Sequence, residues 1–88
     1  MRKVEIGTLY KHFKGHIYKV IDIVNDCEST SDKLEKVVIY ENIEDHIRWA
    51  RKYNDFISLV DKEKYPDIKQ KYRFEKIKSV NKCWNKKI

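Results

Sequence analysis

Apolar and polar positions alternate along this chain with a changing period, and the changes mark its elements. In IGTLYKHF, residues 6–13, Leu9 and Phe13 are core candidates, and Tyr10 and His12 fall on the other face. Lys14-Gly15 follows as a turn, where glycine accepts positive φ at no steric cost. HIYKVIDIV, residues 16–24, is rich in β-branched residues and reads as a strand. Ile17, Ile21 and Ile23 share one of its faces, and Tyr18, Val20 and Val24 share the other. Both faces are partly apolar, as for a strand at the centre of a small barrel.

NDCESTSDK, residues 25–33, is acidic and turn-rich, because Asn, Asp, Ser and Thr bond to nearby backbone. KVVIYENI, residues 36–43, carries the strongest strand signal, with Val37, Ile39 and Ile43 on one side and Val38 and Tyr40 on the other. After a polar connection, HIRWARKY puts Ile47 and Trp49 together with Arg48 opposite, which favours a strand over a helix. A short helical turn is expected around Phe56, Leu59 and Val60, and Pro66 stops regular structure beyond it. QKYRFEKI reads as the last strand, with Tyr72 and Phe74 on one face. From residue 78 the spacing changes to that of a helix, with Ile77, Val80, Trp84 and Ile88 on one stripe and Lys78, Lys82 and Lys86 on another. That tail is a basic amphipathic helix, or a frayed end with that potential. Trp84 folding back to close the barrel ranks ahead of any membrane or nucleic-acid role. The expected class is therefore mainly β: a small antiparallel barrel of about five strands over residues 1–77, with a tail at 78–88.

Composition narrows the function. A hydrophobic fraction of 41% with few glycines and prolines indicates a folded domain. Eighty-eight residues bury only a modest core, so a site shared between two protomers is easier to build than a deep cavity within one. A homo-oligomer, most simply a dimer, is expected. No window is apolar for long enough to span a bilayer, and the opening MRKVEIGTLYKHF lacks the apolar core of a secretory signal, so a cytoplasmic protein is expected. Cys27 and Cys83 are far apart and read as separate thiols in a reducing compartment.

Charge is segregated within the total of +6: residues 1–20 and 46–88 are basic, whereas residues 21–45 are acidic. Segregated charge suits a compact anionic ligand, or packing between oppositely charged patches. The acidic middle would repel the phosphates of a long nucleic-acid track.

The opening run then acquires a second meaning. Gly7-x-x-Tyr10-x-His12-Phe13-Lys14-Gly15-x-x-Tyr18-x-Val20 resembles a small bacterial and phage family classed only as a domain of unknown function. Val38-Ile39-Tyr40 is similar to that family's Val-Val-Tyr strand, Trp49-Ala50-Arg51-Lys52 to its Trp-x-Arg-Pro step, and Arg73-Phe74 to its closing pair. Two departures stand out. Asp26-Cys27-Glu28-Ser29 replaces a His-Ser-Glu-Thr step, and Lys52 replaces the proline. The resemblance covers roughly residues 6–77 and implies a fold similar to SH3-like barrels; it implies no activity.

No constellation in the chain matches a catalytic template, so no enzyme activity and no cofactor are expected. A zinc site from His12, His16 and Cys27 fits no common ligand spacing. The remaining chemistry is aromatic and basic. Tyr10, His12, Lys14, Tyr18, Tyr40, Arg48, Trp49, Arg51 and Arg73 fall on strands or at their ends. Aromatic faces stack on nucleobases, and cations hold phosphates. Singly, each of these aromatics reads as core or rim packing; as a set they point to a ligand. The expected function is a non-catalytic binding module for a phosphorylated nucleotide, extending to a phage-type sponge that sequesters an immune signalling nucleotide. A nucleic-acid-binding barrel and a protein-interaction domain are the alternatives.

Overall fold

A computed structural model describes residues 3–77. Its spine is the ladder between β2 (Ile17–Asn25) and β3 (Lys36–Asn42), two antiparallel strands built from the two most β-branched stretches of the chain. β1 (Leu9–His12) adds to the outer edge of β2, and β4 (Arg48–Lys52) to that of β3. A single helical turn, α1 (Tyr53–Phe56), follows β4, and the chain returns as β5 (Phe74–Lys76) to pair antiparallel with β1. The strand order is β4-β3-β2-β1-β5, a mainly β fold of five antiparallel strands with one short helix, as the sequence indicates. The sheet is open, since β4 and β5 are its edges and do not pair with each other. The gap is spanned by the connection between them: Ser58 C=O accepts from Arg73 N–H at 2.9 Å, and Lys71 C=O from Val60 N–H at 2.9 Å. The closed barrel expected from the sequence is therefore not formed: the strands make an open sheet, and the connection from β4 to β5 is tied to itself. The tail beyond residue 77, expected as a helix, lies outside the described residues.

Both glycines sit at positive φ, +107° at Gly15 and +84° at Gly7, with nothing within 4 Å of the position a Cβ would take. Backbone conformation, not close approach of another group, is what calls for glycine there. Gly15 turns the β1–β2 hairpin, and Gly7 N–H donates to Val20 C=O at 2.8 Å, leading the chain into β1.

Val20, Val38, Phe56 and Phe74 are fully buried and form the core with Val4, Tyr10 and Tyr40. The rings of Phe56 and Phe74 stack in parallel, 4.1 Å between centroids. Three expectations about facing are corrected. Tyr10, not Leu9, is the core residue of β1, and only Phe13 beyond the strand end keeps its expected burial. In β2 a bulge between Val20 and Asp22 shifts the register, so Ile23 packs against the core and Val24 turns outward. A bulge inserts one residue and reverses the alternation beyond it, which no period-two pattern anticipates. Leu59, expected with Phe56 and Val60 in the helical turn, is 56% exposed, because α1 ends before it and the chain is extended there.

Candidate functional site

Residues opposite one another in an antiparallel ladder share a face. The couples Tyr10–Tyr18, Tyr18–Asn42, Val20–Tyr40, Tyr40–Trp49, Val38–Arg51 and His12–Phe74 therefore assemble one concave side of the sheet. Its floor is Phe74, whose ring lies 4.9 Å from His12, 5.9 Å from Tyr18 and 5.4 Å from Tyr40. Tyr18 and Tyr40 meet edge to face at 5.1 Å.

Two arginines meet beside this aromatic floor, Arg51 over Phe74 and Arg73 6.0 Å from the neighbouring Phe13 ring centre. Arg51 lies 5.8 Å from the Phe74 ring centre, donates through Nε to the Tyr40 hydroxyl at 3.2 Å, and pairs through Nη1 with Asp55. Arg73 donates through Nε to the Ser58 hydroxyl at 3.2 Å and comes within 4.0 Å of the other Asp55 oxygen. Asp55 is thus a brace between two guanidinium groups that would otherwise repel. Burial opposes the charge on Arg51, but its bonds to Tyr40 and Asp55 outweigh that and raise its pKa. One carboxylate facing two arginines leaves the site net positive.

His12 responds to this environment. Burial first, then the charges of Arg51, Arg73 and Lys14, lower its pKa from 6.5 to about 4. Its ring is therefore neutral at physiological pH. Its Nδ1 accepts the Lys14 N–H at 3.1 Å, so the ring hydrogen resides on Nε2. Tyr18 is polarised similarly: burial raises its pKa, and a hydrogen bond from the buried Asn42 partly offsets the rise. The raised pKa keeps the Tyr18 phenol protonated, so it retains an O–H to donate. His12 Nε2–H, Tyr18 O–H and the guanidinium groups are all donors, a set suited to an oxygen-rich anion. Trp49 and Ile47, 51% and 50% exposed, extend the same face along β4 beyond Arg51 as an apolar flank.

Of the residues singled out from the sequence, His12, Tyr18, Tyr40, Arg51 and Arg73 come together, with Trp49 at the margin. Three do not join them. Tyr10 is only 2% exposed, packs edge to face on Phe56 and accepts the Glu5 N–H through its hydroxyl, so it is core. Arg48 lies on the opposite face of β4, bonded to Glu41 at 2.8 Å. Lys14 sits at the hairpin tip, its ammonium 5.6 Å from the Tyr65 ring centre, and adds charge near His12 rather than a wall. Asp55, Ser58, Asn42 and Phe74 were missed. Only the four-residue spacing of Arg51 and Asp55 hinted at their pairing.

Among the described residues, no group of three or more His, Cys, Asp or Glu side chains could hold a metal ion, and no helix is long and apolar enough to cross a membrane. No curated protein and no solved structure matches the chain. One family model, described as protein of unknown function (DUF1653), matches residues 8–76, from β1 to the end of β5 and across the whole arginine–aromatic cluster. The chain belongs to the DUF1653 family.

Proposed function

We propose that this protein is a non-catalytic binding module for a phosphorylated nucleotide. The phosphate would sit against Arg51 and Arg73, with His12 Nε2–H and Tyr18 O–H as neutral donors, and the ring system would lie along Trp49. The observation that carries this reading is the convergence of donors, none of them an acid or nucleophile poised for chemistry, over an aromatic floor. A module that holds its ligand unchanged would serve as a phage-type sponge for an immune signalling nucleotide. The open mouth, with Trp49 half-exposed, would be covered by a second protomer.

Thermal melting with a panel of linear and cyclic nucleotides tests this. Ligand at about a hundred times its Kd stabilises a one-site protein by about 2.7 kcal/mol, which is a rise of roughly 10–20 °C for a domain of this size. Arg51→Lys keeps the charge but loses the forked donors, and should remove most of the shift. Arg48→Ala, on the other face, should leave it intact. If no nucleotide shifts the melt while a DNA or RNA oligomer does so in a salt-sensitive way, the ligand is nucleic acid and the proposal fails.

A further inference from the structure

The opposite flank of β4 presents a different kind of surface. β4 is an edge strand, and among the described residues no strand pairs with its outer side. The ladder phase shows what that side offers. Asn42 N–H donates to Ile47 C=O at 3.0 Å, so 42 and 47 form a hydrogen-bonded couple. Counting along the register, Tyr40–Trp49 and Val38–Arg51 are the next bonded couples, and the N–H and C=O of Arg48 and Ala50 turn outward. Edges are commonly blunted by proline, a bulge or a cover. β4, Arg-Trp-Ala-Arg-Lys, has no proline and no register shift against β3.

The side chains flanking this edge differ by face. Arg48 and Lys52 stand on the convex side with Ala50 between them, and Ile47 and Trp49 stand half-exposed on the concave side. At its C-terminal end the edge runs into a concavity of about 330 Å³, lined by Lys33, Lys36 and Lys52 against the single carboxylate of Glu35, with Leu34 and Tyr53. Leu34 there is 60% exposed. Cations outnumber the two carboxylates, Glu35 and Glu41, along this border.

We propose that the outer edge of β4 docks an extended acidic segment of another protein as an added strand. Its acidic side chains would lie toward Arg48 and Lys52, its alternate apolar side chains alongside Ile47 and clear of the ring system proposed for Trp49, and its end in the lysine-rich concavity. Charge selects this occupant over the others. Two copies paired β4 to β4 would set Arg48 and Lys52 against their own kind. Residues 78–88 carry four lysines and no acid, so charge opposes them too. The acidic residues of the β2–β3 connection are held in turns: Asp26 accepts from Glu28 N–H, and Thr30 bridges to Lys33, so they are not an extended strand to offer a neighbouring copy. The cations that guard the edge against self-pairing are the same ones that admit an acidic strand.

The test uses a fluorescent peptide of alternating Glu and Val and a second peptide of the same composition with its Glu and Val in two blocks. Fluorescence anisotropy should show the alternating peptide binding the full-length protein about tenfold more tightly, since only it can match both faces of the strand. Ala50→Pro removes an outward N–H that the β3 ladder does not use, so the fold should be retained and the preference lost. Methylating alternate peptide nitrogens should abolish binding with the protein unaltered, which guards against misfolding of the variant. Lys52→Glu should weaken binding and reduce its salt dependence. Equal affinity for both peptides, or indifference to both Ala50→Pro and N-methylation, would overturn the proposal. So would self-association that Ala50→Pro abolishes and the peptide competes away, because a second copy would then own the edge; a dimer across the concave mouth would survive both.

Discussion

The neutral His12 makes stability depend on pH over a window set by its own two pKa values. In the unfolded chain the ring titrates near 6.5; in the native protein its pKa is about 4. Between these values the unfolded state binds more protons, so stability rises with pH there. The contribution is therefore fully present above about pH 6.5, falls as pH drops through the window, and is gone below about pH 4. The full difference would correspond to about 3.4 kcal/mol at about 1.4 kcal/mol per unit. The ring is only partly buried, and solvent screening reduces this to about 1–2 kcal/mol. For a domain of this size that is a fall in Tm of roughly 4–16 °C between pH 7 and pH 4. Carboxylates add to the decline at the acid end of this window and below it. Glu41, whose pKa is lowered first by its bond to Arg48 and then by that to His46, loses its bonds as acid is added. The informative quantity is thus the difference between the protein and His12→Asn, whose amide oxygen can still accept the Lys14 N–H. The variant should show a shallower decline over this window and the same behaviour below it. Proton NMR titration of the ring reads the native pKa directly. A ring that titrates near 6.5, or melting curves of protein and variant that fall in parallel, would refute the account of burial and paired arginines around His12.

Two further expectations concern the scaffold. Phe74, fully buried beneath His12, Tyr18, Tyr40 and Phe56, should cost about 3–5 kcal/mol when truncated to alanine; denaturant melts should show a domain unfolded or nearly so at room temperature, whereas Phe74→Leu should fold with a lowered midpoint. Gly15→Ala has open space for its methyl group but must hold φ near +107°, and should lose about 1–2 kcal/mol through backbone strain alone; a melt unchanged within a degree would show that the hairpin relaxes to another turn.

About half of the candidate site is legible in the sequence. Tyr18, Tyr40, Trp49, Arg51 and Arg73 are visible as aromatic and basic residues on strands because their types and periods are local. The bridging role of Asp55 is not legible in the sequence: its spacing from Arg51 is local, but Arg73 joins it only through the fold. Arg48 and Arg51 looked equivalent in the motif, yet three residues along an extended strand put them on opposite faces.

What the chain determined by itself is what neighbouring residues decide: β-branched stretches that become β2 and β3, a glycine turn closing the first hairpin, a helical turn ahead of Pro66, and a charge distribution that alternates in sign. What only the tertiary structure decided is phase. Tyr10 replaces Leu9 in the core, Ile23 replaces Val24 after the bulge, and the sheet remains open between β4 and β5. Alternation specifies that two faces exist, but which one is buried depends on register against a partner strand far away in sequence. A single inserted residue reverses every assignment beyond it, and no local preference records that choice.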